Sequence, residues 1–316
     1  MSDNGYAIKV DELTMQFPGV VAVDHLSFDV KPGEIFGLVG PDGAGKTTTL
    51  RMLAGVLTPS SGRATVAGLD VGRHPERVKH HISYMSQRFG LYEDLTVDEN
   101  IRFYAGVFGM SRADRERRAA SLLDAAGMGP FGKRLAGKLS GGMKQKLGLI
   151  CALIHTPQVI LLDEPTNGVD PVSRRDFWRI LYSLLGENVA ILISTSYLDE
   201  AERCHRVALL HQGRLLYSDT PAELKKKISG DVVVVVSPEP RRLKDLLRDT
   251  EGVLNMVLVG DGLHLMVDDA KRRIPELRAQ IQSANLPVDR IERIVPSVED
   301  LFVQTVENAR ARNGKE

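Results

Sequence analysis

At 316 residues, 43% hydrophobic and 26% charged, the chain is long enough to bury a large core and to form one large domain plus a smaller one. Lys plus Arg and Asp plus Glu each total 41, so the formal net charge is zero, which argues against a nucleic-acid partner held by bulk charge. No apolar run approaches the roughly 18 residues of a spanning helix, and the N-terminus lacks a basic-then-apolar leader, so the expectation is a cytoplasmic chain whose membrane role comes through a partner. Cys151 and Cys204 lie far apart without metal-ligand spacing and read as buried free thiols.

In chain order, Ile8 to Phe17 and His25 to Val30 read as strands, and Ile35 to Val39 as a buried strand. This strand runs into Gly40-Pro41-Asp42-Gly43-Ala44-Gly45-Lys46-Thr47, a full glycine-rich phosphate loop, with Thr48 following. Gly40, Gly43 and Gly45 let the backbone curl so that its N–H groups point inward at a helix N-terminus, which makes a nest for an anion. Lys46 can reach the outer phosphates of a nucleoside triphosphate, and Thr47 can ligate Mg²⁺. The helix bearing them is expected over Lys46 to Leu57, with its dipole facing the phosphates.

From about Thr96 to Lys138 the strand pattern gives way to a polar, helix-rich insertion, in which Arg112 to Arg118 reads as a solvated face. Leu139-Ser140-Gly141-Gly142-Met143 follows, and Gly141 and Gly142 open a helix N-terminus, a second place where anion-binding logic applies. Val159 to Leu162 then forms a buried strand that delivers Asp163 and Glu164 to its C-terminal end, where open α/β sheets bind ligands. Asp163 suits a Mg²⁺ contact and Glu164 a base that positions water. His80, His81, His205 and His211 lack ligand spacing and read as surface or packing residues, with His205 expected on the helix after Ser196.

The tail reads strand (Val232 to Val236), helix (Arg241 to Arg248), two strands around Gly260-Asp261-Gly262 (Val253 to Leu258, Leu263 to Val267), helix (Arg272 to Ala284) and strand (Ile291 to Val295). That order is the split βαβ, ferredoxin-like pattern. A last helix starts at Ser297, with Asp300 at capping-box spacing, and runs to about Ala311. The expected fold class is therefore α/β: a phosphate-loop ATPase domain over 1–228, with a helical subdomain at about 96–138, then a small α+β domain over 229–316.

From Ile8 to Asp219 these motifs resemble the ATP-binding subunits of ABC transporters. The resemblance implies ATP and Mg²⁺ as ligands. It makes Leu139 to Met143 the family signature, whose Ser140 and Gly142, beside Gly141, face the γ-phosphate held by an opposing subunit. Gln87, in Tyr84-Met85-Ser86-Gln87, is similar to the glutamine that senses Mg²⁺ and water and links to the membrane subunit. Asp170 matches the aspartate that crosses the dimer, and Phe17 is placed like the aromatic that stacks on adenine, a core phenylalanine being the other reading. Ser196 stands where the family carries a histidine that holds the γ-phosphate, which implies a site able to bind ATP but slow to cleave it.

Asp42 replaces the usual asparagine and Met143 the usual glutamine, and neither change removes a lysine or a backbone donor. Phe89 to Thr96 and Ser194 to Glu202 resemble the first half of YbhF-type multidrug export ATPases, which carry two such domains in one chain. Gly213-Arg214-Leu215 resembles the hairpin that closes these ATPase domains, and Pro296 to Phe302 a stretch ending the C-terminal domain of export-type members. The implied partners are integral membrane permease subunits and a second ATPase domain, in a homo- or heterodimer, on the inner face of the cell membrane. The implied activity is ATP hydrolysis that drives export of drug-like or lipophilic cargo. The competing readings are a soluble ABC ATPase acting on protein complexes and a non-hydrolysing regulatory ATP-binding module.

Overall fold

The computed structural model describes residues 5–87, 90–259 and 262–313. The contacts divide the chain into a first unit, to Glu200 plus Cys204–Ser218, and a second, Asp219 onward plus Ala201–Arg203. The division falls near residue 219 and not near 228, because the short helix after Thr220 packs against the last helix of the chain.

In chain order the first unit opens with β1 (Ile8–Phe17), β2 (Val20–Val30), the buried strand β3 (Ile35–Val39), α1 (Lys46–Leu53), β4 (Ser61–Val66) and β5 (Leu69–Asp70). A helical stretch then lies between β6 (Ile82–Met85), which follows α2 (Pro75–Lys79), and β7 (Val159–Asp163). It comprises α3 (Val97–Val107), α4 (Arg112–Ala125) and α5 (Gly141–Leu153). After β7 come α6 (Pro171–Leu184), β8 (Ala190–Thr195), β9 (Arg206–His211) and β10 (Arg214–Asp219).

Strands β1, β2, β4 and β5 form an antiparallel sheet in the order β2-β1-β4-β5, and the other six form a sheet ordered β10-β9-β3-β8-β7-β6. Every residue of β3, β7 and β8 is buried, as expected of parallel strands covered on both faces, and β9, β3, β8, β7 and β6 pair in parallel. The C-terminal ends of β3, β8, β7 and β6 therefore stand side by side, and the phosphate loop, Ser196, Glu164 and Gln87 all leave the sheet at one edge.

Two local boundaries differ from expectation. Strand β2 begins at Val20, not His25, because it pairs with β1 almost to the hairpin tip, Phe17 opposite Val20. Helix α1 stops at Leu53 and not at Leu57: Gly55 adopts φ +66, Val56 N–H bonds Arg51 O and Gly55 N–H bonds Met52 O, which together close a Schellman cap. Helix α3 opens with a capping box between Thr96 and Glu99.

The second unit comprises α7 (Pro221–Lys225), β11 (Asp231–Val236), α8 (Pro240–Leu247), β12 (Val253–Val259), β13 (Gly262–Val267), α9 (Ala270–Ser283), β14 (Arg290–Ile294) and α10 (Val298–Asn313). Its antiparallel sheet has the order β12-β13-β11-β14, which is the ferredoxin-like order of a β-α-β-β-α-β chain. Val233, Val235, Leu263, Leu265 and Val267 pack with Leu243 and Leu247 of α8 and Leu277 and Ile281 of α9. Alternation sends His264 to the opposite face, where its Nδ1 meets Asp300 of α10 at 3.0 Å. Gly260 and Asp261 of the expected turn, like Phe89 of the resembling run, lie outside the described residues.

Candidate nucleotide-binding site

The glycines of the phosphate loop are needed for different reasons. A Cβ on Gly40 would come within 2.3 Å of Leu210 O, and one on Gly45, at φ +96, within 2.5 Å of Ala22 O, so these two are fixed by packing against β9 and β2. Gly43, at φ +78, has open space around it, which leaves its backbone accessible. Gly45 caps α1 without any side-chain bond, and no acid lies in the first turn, so backbone N–H groups and the helix dipole present an uncompensated positive end. Gly40 N–H bonds Thr195 O at 3.3 Å, and Gly213 N–H bonds Ala44 O at 3.2 Å, tying the loop to β8 and to the β9–β10 hairpin.

Lys46 is 4% exposed, and its ammonium donates to Gly40 O (2.7 Å) and Pro41 O (3.0 Å) while pairing with Glu164 Oε1 at 2.9 Å. Asp163 is buried at the end of β7. Its Oδ1 accepts from Thr47 Oγ1 at 2.9 Å and from Ser194 Oγ at 2.7 Å, and its Oδ2 accepts from Tyr84 OH at 3.3 Å. Burial, with the charge of Asp163 second, pushes the Tyr84 hydroxyl above its ordinary range, so it stays a donor. Glu164 adopts φ +48, a strained conformation for a non-glycine residue; its N–H is held by Ser194 O and Ser194 Oγ, both at 3.1 Å. Its second oxygen, Oε2, accepts from Ser196 Oγ at 3.0 Å. Lys46, Glu164 and Ser196 on one side and Thr47 and Asp163 on the other are thus joined through Ser194 into one hydrogen-bonded and ion-paired set.

A cleft of about 420 Å³ lies over these residues, lined by Asp42, Gly43, Gly45, Lys46, Thr47, Thr48, Gln87 and Glu164. Its other lining residues are Val20, Val21 and Ala22 of β2 and Gln212. Phe17 is 40% exposed, which excludes the core reading; it stands at the hairpin end of β1 and is not among the cleft-lining residues. The signature and Asp170 are also outside the cleft. Ser140 caps α5 by accepting from Met143 N–H at 3.3 Å, and Asp170 caps α6 by accepting from Val172 and Ser173 N–H at 3.1 and 2.9 Å. The Ser173 bonds hold the Asp170 carboxyl below its ordinary range. Gly141 has open space, whereas a Cβ on Gly142 would fall 2.2 Å from Ser173 Oγ, so Gly142 is required by the close approach of α5 and α6.

Sequence reasoning missed Ser194, Tyr84, Gln212 and the apolar wall Val20–Ala22. The available signal for Ser194 was a hydroxyl placed directly after the apolar run Ala190–Ile193, at the end of the strand that leads to Ser196. His205 lies just before β9 and not on a helix, and its Nδ1 accepts from Ile35 N–H at 3.0 Å, a packing role. Cys151 and Cys204 are buried free thiols, and burial pushes both well above the usual thiol range. Among the described residues no helix is long and apolar enough to cross a membrane.

The fold and the cleft define a phosphate-loop nucleotide-binding domain followed by a ferredoxin-like unit. The ABC transporter family model matches residues 23–167, and that of the DrrA1-3-like ATP-binding protein C-terminal domain matches 220–306. The chain is 44% identical over 312 residues to the probable multidrug ABC transporter ATP-binding protein YbhF of Escherichia coli strain K12, covering 97% of this chain and 53% of that one. It is 34% identical over 306 residues to the daunorubicin resistance ATP-binding protein DrrA2 of Streptomyces coeruleorubidus, covering 95% of each. A solved ATP binding subunit of an ABC transporter matches with a TM-score of 0.64 at 30% identity, over 70% of this chain and 92% of that one. The chain therefore belongs to the ATP-binding proteins of ABC transporters, a family that binds ATP. It spans about half the length of YbhF.

Proposed function

We propose that the chain binds Mg–ATP in this cleft and hydrolyses it to drive an ABC exporter, as one of two ATPase domains attached to a membrane permease on its cytoplasmic side. The observation that carries the reading is the joined set of Lys46, Thr47, Asp163 and Glu164 beneath a glycine loop at a helix N-terminus. The named relatives, a probable multidrug protein and a daunorubicin resistance protein, support export of drug-like or lipophilic cargo.

The donor set fits Mg²⁺, a hard cation that keeps several waters and takes only one or two protein oxygens: Thr47 Oγ1 and Asp163 already share a hydrogen bond, and Gln87 lines the same cleft. Bound there, Mg²⁺ would neutralise charge on the phosphate oxygens. Lys46, which contacts two carbonyls and Glu164, would exchange these contacts for phosphate oxygens. That exchange frees Glu164 Oε1, while Ser196 still occupies Oε2, and Glu164 would then orient the water and accept its proton. Phe17, at the rim of β1, and the apolar wall of β2 suit the adenine end. Ser140, Gly141, Gly142 and Asp170 stay outside this cleft, as suits residues offered to the nucleotide of an opposing domain.

Ser196 favours a second reading, in which this site turns over slowly and the fast site forms between a partner's phosphate loop and this chain's Ser140. Its hydroxyl reaches Glu164 but is shorter than an imidazole and stays neutral, so it stabilises phosphate charge less. Steady-state Mg–ATP hydrolysis by the purified chain, with Glu164→Gln as the blank and ATP binding measured in parallel, separates the readings. Turnover abolished by Glu164→Gln supports a self-sufficient motor, and Ser196→His should then raise kcat. Tight binding without turnover supports the partner-dependent site. Absence of ATP binding overturns both.

A further inference from the structure

Beyond Ser196 the chain reaches an acid that lines no part of the cleft. Glu200 is fully buried, and its Oε1 accepts from Thr166 Oγ1 at 2.7 Å and from Trp178 Nε1 at 3.2 Å. Arg174 Nε stands 3.8 Å from the same oxygen, whereas Oε2 has no hydrogen-bond partner among the described residues. A half-satisfied buried carboxylate is expensive to maintain, so its location calls for a reason.

All three groups belong to one other stretch of chain. Thr166 lies two residues after Glu164, and Arg174 and Trp178 occupy successive turns of α6, the helix capped by Asp170. Tyr197 adds a parallel link: its hydroxyl donates to Asn167 Oδ1 at 3.3 Å, and the Arg174 guanidinium lies 4.5 Å from its ring centre. Glu200 N–H in turn bonds Tyr197 O at 3.1 Å, holding the acid and the tyrosine in one turn. The loops after β7 and β8 leave the sheet from different strands, and these contacts join them in addition to the Glu164–Ser196 bond.

We infer that Glu200 is a positioning residue whose buried carboxylate clamps the Ser196–Glu200 segment to the Glu164–Asp170 loop and α6, so that Ser196 and Asp170 shift together as nucleotide binds. The inference rests on the cleft being an ATP site and adds the element that couples its two sides. Water cannot replace the link, because Thr166 and Trp178 are themselves 1% exposed.

Hydrogen exchange on the full chain tests it, using Thr166→Val, which substitutes no residue of 196–200, with Thr166→Ser as the conservative rescue. The expected result is exchange about tenfold faster at the amides of Tyr197–Glu200 in Thr166→Val, restored by Thr166→Ser, with β3 and β9 unchanged. With Mg–ATP, kcat should fall about tenfold while the ATP dissociation constant stays within about twofold. Glu200→Gln, which keeps an acceptor oxygen but loses the charge, should add nothing on top of Thr166→Val. Wild-type exchange at Tyr197–Glu200 in Thr166→Val, or simple additivity of the two variants, overturns the clamp. If the wild-type chain fails to bind ATP, the functional reading fails while the exchange result still decides the clamp.

Discussion

Replacing Ser194 by alanine removes the hydroxyl that links Asp163 and Glu164. Ser194 is fully buried; its Oγ donates to Asp163 Oδ1 at 2.7 Å and accepts from Glu164 N–H at 3.1 Å. The second loss is small, because Glu164 N–H keeps Ser194 O at 3.1 Å. The first removes a donor from a buried carboxylate and should cost about 2 kcal/mol, the middle of the range for hydrogen bonds to charged groups. For a unit of this size that corresponds to a fall in Tm of about 4–8 °C. Trp178 is the single tryptophan of the chain and is buried in the first unit, so its fluorescence follows the melting of that unit specifically. Ser194→Cys separates hydrogen bonding from volume, since a thiol fills the space but donates weakly; it should melt close to Ser194→Ala. A melting temperature of Ser194→Ala within about 1 °C of wild type, or full recovery in Ser194→Cys, would refute the assigned role of the hydroxyl.

Gly142→Ala should destabilise the first unit and Ser173→Gly should restore much of the loss, because the added methyl meets Ser173 Oγ and Cβ at 2.2 and 2.4 Å; thermal melts of the single and double variants decide it. Gly45→Ala should abolish nucleotide binding measured by calorimetry, since it combines φ +96 with a 2.5 Å approach to Ala22 O, whereas Gly141→Ala should leave folding intact. In the second unit, burial pushes the Asp300 carboxyl up, but hydrogen bonds from His264 and from the Ser297 N–H and hydroxyl outweigh it and hold the carboxyl below its ordinary range. A depressed folded-state pKa contributes stability above the unfolded value, lost as pH falls through the folded one. The Tm gap between wild type and Asp300→Asn, read by calorimetry, should therefore narrow from about pH 6 to about pH 3.

The phosphate loop, the Asp163–Glu164 pair and the β-α-β-β-α-β order of the tail were legible in sequence because each depends on local chemistry: glycine at positive φ, an apolar strand ending in acids, alternation between turns. Helix and strand ends were less legible where a cap or a pairing partner sets them, as at Gly55 and Val20. Assembly of the site was not local. The order β3-β8-β7-β6 brings together ends separated by more than a hundred residues, and the register that sets Asp163 beside Ser194 turns an unremarked serine into the support of both acids. Glu200 likewise carries no local sequence signal of its role, and only folding surrounds it with Thr166, Arg174 and Trp178. Sequence specifies which groups can bind phosphate because backbone conformation is encoded residue by residue. Strand pairing and burial decide which groups meet and which charges are shielded from water, and these are properties of the assembled sheet.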